Sequence, residues 1–266
     1  MELSLGSARN WLYRVVRNDP QLWRYALGTR DIALRGPWRS AIVAYHRMRG
    51  ALRHPLPTQF PTIFPDLDVE KTAEEIRTNG YSPSLKVPDA LVDEIMAYCK
   101  TLSDKELNDH RDAHLLCPAI ARVCYDERMV AVARAYLGVE PILFRTAAWV
   151  RYPFKGERVF HFDAADIKDL LVFIYLSDVD EESMPHAVIP GTHNTKTLQQ
   201  TMNRALPDEE AKRDYGDRIR IVVGPRGTGF FEDTTCYHKR MGGTKTRYSL
   251  NIIYTLQRQP ANANVS

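Results

Sequence analysis

The sequence predicts an α+β protein in which helices come first and an antiparallel sheet, packed as a sandwich or jelly roll, follows. Before Gly138, apolar residues recur at helical spacing between start and stop signals; after it, short strand-like runs alternate with turns. The 266 residues, 44% of them hydrophobic, can bury a substantial core as one domain or as a domain with an extension.

Three segments of the first half have the pattern of capped amphipathic helices. Residues 68–79 begin at a capping aspartate and end at an Asn-Gly pair, which is a common helix stop. Residues 88–100 start with Pro-Asp-Ala and carry their apolar side chains on one face, and residues 126–137 end at a glycine. Each helix is therefore expected to pack one face against the rest of the domain.

Beyond Gly138, the chain carries strand-like runs separated by turn residues. The best candidates are residues 141–152, 158–163, 170–178, 218–223, 229–232 and 246–256. Two helical segments, 195–204 and 208–215, interrupt these strands. We expect them to form an insert of the kind that often covers a site.

Positive charge is concentrated at the start of the chain. Residues 1–53 hold ten Arg, no Lys and three acids, a net +7 within a chain whose total is +3. Residues 54–65 contain four prolines, which exclude a helix and predict a linker. The sequence therefore predicts an Arg-rich extension and linker over 1–65, a main domain over 66–257 and a tail over 258–266.

A helix is expected within the extension, over residues 37–48, and it has two interpretations. Its apolar stripe consists of Trp38, Ala41, Ile42, Tyr45 and Met48, beside Arg39, Arg47 and Arg49. In the first interpretation the stripe packs on the domain and the arginines are solvated. In the second, the helix docks an acidic partner or an anionic membrane surface. Nucleic acid is disfavoured as a partner because no recognition helix, finger or RNA-binding motif is present.

The cysteines and the apolar runs bear on the compartment. Cys99, Cys117, Cys124 and Cys236 show no Cys-x-x-Cys spacing, which indicates reduced thiols. The first twenty residues lack the pattern of a secretory signal, and the longest apolar run is too short for a transmembrane segment. A cytoplasmic protein is the expectation.

A candidate metal site begins with the sequence Phe-His-Phe-Asp. His161 and Asp163 are two residues apart in a strand-like region, so their side chains point the same way. With the distant His238 they would form the two-histidine, one-carboxylate set of non-haem Fe(II) oxygenases. A His-x-Asp pair alone is weak evidence, and a second copy at 110–112 is interpreted as an exposed polar turn. The surroundings of the first copy must therefore support the hypothesis.

The last predicted strand supports it. Arg247, Ser249 and Asn251 alternate with apolar residues, so a polar face is expected to look into the barrel. A buried arginine is costly unless it meets an anion. Arg247, assisted by Ser249, is thus a candidate for binding a carboxylate. The alternative is that Arg247 pairs with an internal Asp or Glu.

The ordered combination of these motifs resembles the phytanoyl-CoA dioxygenase-like family of Fe(II)/2-oxoglutarate-dependent oxygenases. The resemblance covers about residues 66–257. Its matching segments are residues 160–163, 176–185, 188–193, 229–233, 237–238 and 246–254. The chain departs from the family pattern at Ser183-Met184, where many members carry Asn-Gly, without losing any ligand position.

The resemblance implies a double-stranded β-helix, cupin-like in form, with packed N-terminal helices. It implies Fe2+ bound by His161, Asp163 and His238, and 2-oxoglutarate bound by Arg247 and Ser249. The implied reaction is hydroxylation of an unactivated C–H bond, with O2 consumed and succinate and CO2 released. Halogenation is disfavoured because related halogenases lack the carboxylate that Asp163 supplies.

The substrate is expected to be a small molecule, free or carrier-bound. Tyr152, Lys168 and His193 flank the site in sequence and are candidates to contact it. Two other functions stay open. One is a metal-binding β-barrel that acts as an isomerase or binding protein without oxygenase activity. The other is a scaffold whose Arg-rich extension docks a partner enzyme or a membrane.

Overall fold

The structure is a computed structural model that describes residues 38–58, 60–109, 112–156, 159–163 and 166–257. Most of the predicted extension, and the predicted tail, lie outside these ranges. In chain order the helices are α1 Arg39–Gly50, α2 Val69–Asn79, α3 Asp89–Cys99, α4 Asp104–Asp109, α5 Ala113–Leu116, α6 Pro118–Cys124, α7 Glu127–Leu137, α8 Leu198–Asn203 and α9 Asp208–Tyr215, the last followed by a 3₁₀ turn, Gly216–Arg218. The strands are β1 Tyr81–Lys86, β2 Ile142–Arg151, β3 Phe160–His161, β4 Asp169–Tyr175, β5 His186–Ile189, β6 Ala205–Leu206, β7 Arg220–Val222, β8 Thr228–Glu232, β9 Tyr237–Arg240 and β10 Arg247–Thr255.

The strands form two antiparallel sheets, which confirms the α+β class. One sheet has the order β1-β8-β4-β10-β2 and the other β6-β3-β9-β5-β7. From β2 onward the chain passes back and forth between the sheets, except that β5, β6 and β7 belong to the same sheet, and this winding produces a double-stranded β-helix. Residues far apart in sequence therefore become neighbours across the interior.

The central strand β4 is buried along its whole length because both of its faces are covered. Side chains along a strand alternate between the faces. Val172 and Ile174 pack outward into the helical core that includes Ile95, whereas Phe173 and Tyr175 belong to a separate cluster inside the barrel. The helices thus shield one face of the sheet and leave the other to line the interior.

The predicted alternation in β10 is present. Leu250 and Ile252 join the core beneath the helices. Arg247 and Ser249 are also buried, at 4% and 1% exposure, but alternate with them and so face the other way. Polar groups are therefore carried into the barrel by a strand whose outer face anchors the helices.

Several elements have no clear signal in the sequence. β1, β5, β6 and β9 were not predicted, nor were the short helices α4, α5 and α6. β1 contains Pro83, which a strand tolerates here because β1 lies at the sheet edge. β9 contains a Lys-Arg pair, and its Lys239 is buried with its ammonium 2.6 Å from Asp208. Strands with so weak a sequence pattern form because neighbouring strands supply backbone hydrogen bonds and nearby acidic side chains supply counter-charges.

Helix α1 corrects the expected packing of the apolar stripe. Trp38, Tyr45 and Met48 are 46%, 51% and 70% exposed, whereas Ile42 of the same stripe packs against the core, so most of the stripe faces away from it. The face that packs on the domain instead carries Arg39 and Arg47. Val43, which lies between the two arginines along the helix, and Gly50, at the end of the helix, are buried. The side chains of both arginines bond to backbone carbonyls of the domain, so this inward face is polar.

Glycines permit the close approach of α1 and α2 to the domain. A Cβ at Gly50 would lie 2.4 Å from the side chain of Val139, so α1 could not sit as close with any other residue there. Gly80 ends α2 with a φ of 67°, and a Cβ on it would lie 2.4 Å from the sulfur of Cys236.

The domain boundary after residue 65, between the predicted extension and the main domain, stays a prediction.

All four cysteines are buried and unpaired. Within the described ranges, no helix has both the length and the apolar character that a bilayer crossing requires.

Two aspartates cap helices in different surroundings, which gives a test of the fold. The buried carboxylate of Asp126 accepts hydrogen bonds from the backbone of α7 and from Thr62 and Ile63. Asp68 caps α2 at the surface through a single bond to the Lys71 amide. We expect Asp126→Ala to lower the free energy of unfolding by about 3 kcal/mol, since several buried donors lose their acceptor. Denaturant titration measures this value.

Asp68→Ala is the matched control. It should cost about 1 kcal/mol, because the freed amide can bond to water. Equal losses for the two variants would contradict the assigned role of Asp126 in holding residues 62–63 against α7.

Candidate metal centre

The structure brings His161, Asp163 and His238 together. His161 on β3 is paired directly with His238 on β9, and their ring centres are 4.8 Å apart. The backbone amide of Asp163 donates to the carbonyl of Thr234 at 2.8 Å, which holds the carboxylate beside the same strand pair. One donor atom from each side chain lies within 4.8 Å of the others. This spacing suits a single bound cation.

Backbone carbonyls orient both imidazoles. Nδ1 of His161 lies 3.0 Å from the carbonyl of Val159, and Nδ1 of His238 lies 3.1 Å from that of Cys236. A ring whose Nδ1 donates to a carbonyl presents Nε2 as its ligand atom. Nε2 of His238 is 3.7 Å from the Asp163 carboxylate. In each ring, Nε2 is therefore the nitrogen left to bind a metal.

The carboxyl group of Asp163 is held in its ionised form. Burial would raise its pKa, but the hydrogen bond and the charge of His238, followed by the charge of His161, outweigh burial and lower the pKa to about 2. The group therefore carries a negative charge at neutral pH. A divalent cation would meet a carboxylate that is already deprotonated.

A buried carboxylate behind His238, which sequence reasoning missed, completes the centre. Glu232 is fully buried at the end of β8, with one oxygen 3.0 Å from Nδ1 of His238 and the other 2.7 Å from Nε2 of His186. The rings of the two histidines stack at 5.4 Å. Burial would raise the pKa of Glu232, but both histidines lower it to about 2. A carboxylate–histidine pair of this kind orients a metal ligand and increases its basicity.

The available sequence signal for this group was alternation. Glu232 lies two residues after Phe230, which faces the barrel interior, so it had to point inward as well. His186 lies in β5, a strand too short to be recognised from its sequence. Its place beside His238 depends on the pairing of β5 with β9.

Arg247 also lies inside the barrel. Its guanidinium is 5.5 Å from the ring of Phe173 and 5.7 Å from that of Tyr175, and Nη1 donates to the carbonyl of Met184. Within the described part of the chain, its buried Nε has no hydrogen-bond partner and no carboxylate lies within ion-pair distance. The alternative of an internal Asp or Glu partner thus finds no support. Ser249 lies on the same strand face, paired in register with Tyr175.

The three substrate candidates do not gather at the metal centre. Tyr152 is 52% exposed, and its hydroxyl lies 2.9 Å from both carboxylate oxygens of Asp104. Lys168 and His193 line a different cavity, beneath α1. Their contact with substrate stays a prediction.

The contact between Glu232 and His238 is tested by a change that removes only the negative charge. We expect Glu232→Gln to weaken binding of Fe(II), or of Co(II) as a redox-stable substitute, by roughly 10- to 100-fold, because the His238 ring loses its charged partner. Calorimetric titration of the metal measures the affinity, and circular dichroism checks the fold. Glu181→Gln is the control, since Glu181 is exposed. Unchanged affinity in Glu232→Gln would contradict the role.

No protein family and no curated protein matches the sequence at a significant level. Solved structures do match its fold. EctD from S. alaskensis, with 2-oxoglutarate and 5-hydroxyectoine, is 20% identical over 76% of this chain and 83% of its own, with a TM-score of 0.54.

Two further structures have the same fold. Iron-bound HygX from Streptomyces hygroscopicus is 14% identical over 71% of this chain and 87% of its own, with a TM-score of 0.56. SnoN, a non-haem α-ketoglutarate-dependent epimerase from nogalamycin biosynthesis, is 18% identical over 74% of this chain and 91% of its own, with a TM-score of 0.52. These similarities confirm the double-stranded β-helix.

Proposed function

We propose that this protein is an Fe(II)- and 2-oxoglutarate-dependent oxygenase. The observation that carries the proposal is the convergence of His161, Asp163 and His238, whose donor atoms lie within 4.8 Å of one another. Two imidazoles and one carboxylate are the donors that non-haem Fe(II) oxygenases use, and three protein ligands leave positions open for small molecules. The structural neighbours, which include an iron-bound protein and a 2-oxoglutarate complex, support the proposal.

The residues fit ferrous iron in charge as well as in number. Asp163 is ionised, and the rings of His161 and His238 present Nε2. Iron bound there would supply the activation of O2 and the binding of a 2-oxo acid. Glu232 would keep the His238 ring aligned throughout, because its carboxylate is fixed between two imidazoles.

Arg247 is proposed to bind the distal carboxylate of 2-oxoglutarate. Burial lowers the pKa of Arg247, an effect that Tyr175 opposes, and the Nε of Arg247 lacks an acceptor among the described residues. A bound carboxylate would supply that acceptor and compensate the buried charge. Ser249 would donate to the same carboxylate, while Phe173 and Phe230 exclude water from the interior.

The reaction that we propose is hydroxylation of an unactivated C–H bond. Its substrate would be a small molecule, free or carrier-bound, and its products would include succinate and CO2. Asp163 occupies the position that a halide would need, which argues against halogenation. SnoN is an epimerase with the same fold, so the fold alone does not select hydroxylation. Membership of the phytanoyl-CoA dioxygenase-like family stays part of the proposal.

Loss of the carboxylate ligand tests the metal chemistry. We expect Asp163→Ala to lower succinate release from 2-oxoglutarate at least about 100-fold, since the set of ligands on iron is incomplete. Anaerobic Fe(II) titration should show weaker binding in the same variant. Asp217→Ala, which removes an exposed carboxylate, should retain both properties. Undiminished turnover in Asp163→Ala would contradict the proposal.

Loss of the buried guanidinium tests the co-substrate. We expect Arg247→Met to raise the KM for 2-oxoglutarate by roughly 10- to 100-fold, because a charge-assisted hydrogen bond contributes about 1.5–3 kcal/mol. Fe(II) affinity should stay within a factor of about two, since Arg247 is not placed among the ligands.

Arg220→Met, on the exposed side of β7, is the control for loss of positive charge. If wild-type protein binds Fe(II) but not 2-oxoglutarate, the metal-binding barrel without oxygenase activity becomes the better interpretation.

A further inference from the structure

A cavity lies between α1 and the main domain, with a volume of about 240 Å³. Four basic side chains line it, Arg39, Arg47, Arg77 and Lys168, and among the described residues Asp233 is the only acidic one in its lining. Two arginines come from α1, one from the last turn of α2, and the lysine immediately precedes β4. Separate elements thus direct positive charge toward one partly open cavity.

The acidic group does not neutralise this charge. Asp233 is fully buried, and its carboxylate accepts hydrogen bonds from the hydroxyls of Tyr136 and Thr235, each at 2.5 Å. Arg39 lies 3.6 Å from it. Burial would raise the pKa of Asp233, but the charge of Arg39 and these bonds hold it well below the usual range. Arg39 is thus paired with Asp233, and Arg77 forms an ion pair with Glu74 at 2.7 Å. Among the described residues, the charges of Arg47 and Lys168 have no acidic partner within ion-pair distance.

Two of the four basic side chains, Arg47 and Lys168, have N–H donors that can bind a ligand. Arg47 bonds to the carbonyl of Leu137 through Nε at 2.7 Å, and within the described part of the chain its terminal nitrogens have no acceptor. Lys168 bonds to the carbonyl of Tyr136 at 2.8 Å and lies 3.9 Å from the centre of that ring. An ammonium group has three N–H donors, so Lys168 can still serve a ligand.

The pKa of Lys168 reflects its surroundings in the cavity. It is lowered to about 8, chiefly by burial and also by the charges of Arg47, Arg39 and Arg77, whereas the charge of Asp233 opposes the shift. The three arginines thus repel the ammonium group. An anion in the cavity would offset that repulsion.

We propose that this cavity binds a phosphate group, either free or carried on a small molecule. A dianion with several oxygens suits guanidinium and ammonium donors that approach from different elements. The volume exceeds that of a water molecule several-fold and accommodates such a group. This inference does not depend on the proposed oxygenase function, because it involves none of the metal or co-substrate residues.

The cavity also has a structural link to the metal centre. Asp233 lines the cavity, and the next residue, Thr234, accepts the backbone hydrogen bond of Asp163. A phosphate held beneath α1 would therefore lie beside the loop that fixes the Asp163 ligand. A phosphorylated substrate anchored there, or a free phosphate acting on that loop, would both use the same contacts.

The test is calorimetric titration of the full chain, without added metal, with inorganic phosphate, pyrophosphate and glycerol 3-phosphate. Low ionic strength limits screening, and neutral glycerol is the uncharged comparison. We expect a Kd of about 1 mM or tighter for at least one of the phosphates and no binding of glycerol. No heat with any of the three phosphates at about 10 mM would overturn the proposal.

Variants separate the cavity from general surface charge. Arg47→Gln and Lys168→Gln should each weaken binding about tenfold or more, since each removes a charged donor. Arg49→Gln is the matched control, because Arg49 lies on the same helix but is exposed and does not line the cavity. Equal weakening by Arg49→Gln would overturn the proposal, and thermal unfolding of each variant identifies any that are misfolded.

Turnover measurements identify the source of the phosphate. Succinate release that changes with free phosphate, and no longer does so in Arg47→Gln, indicates an effector. Release that increases only with a phosphorylated small molecule indicates a substrate handle. Phosphate binding without any oxygenase activity would leave this inference standing and refute the proposed function, so the two failures are distinguishable.

Discussion

The buried contact between Glu232 and His238 connects the metal centre to the interior of the barrel. A carboxylate without solvent is tolerable only when it is paired. Here one oxygen of Glu232 is hydrogen-bonded to Nε2 of His186, and the other, which has no hydrogen bond among the described residues, lies 3.0 Å from Nδ1 of His238. The same contact fixes the ring that lies nearest to Asp163. Glu232 is on β8 in one sheet, and its partners are on β5 and β9 in the other. The geometry of the centre therefore depends on how the two sheets pack against each other.

Helix α1 illustrates a second use of buried charge. Trp38, Tyr45 and Met48 are exposed, and its inward face, which includes Val43, binds backbone carbonyls through Arg39 and Arg47. Arginine can make such a contact because its long apolar stem packs while its guanidinium donates in several directions. The result is a helix that lines one side of a positively charged cavity beside Asp233.

Prediction from sequence succeeded where the pattern was long and regular. The helix over residues 126–137, with its aspartate cap and terminal glycine, is present as α7, and the alternating last strand is present as β10. It failed for β5 and β9, which are four residues each and too short to show a period. It left two interpretations of α1 open, because an apolar stripe indicates an inward face only when no polar contact outweighs it.

By itself the sequence determined three features, because all of them depend on local periodicity. They are the fold class, the alternation that carries Arg247 and Ser249 inward, and the common direction of the His161 and Asp163 side chains. The tertiary structure brings His238, which the sequence had made a candidate, beside those two residues, and it alone decided that Glu232 and His186 lie behind His238. It alone also placed Lys168 and His193 in a separate cavity. These contacts join strands and helices far apart in the chain, and the register of long-range pairing is not encoded in any local pattern.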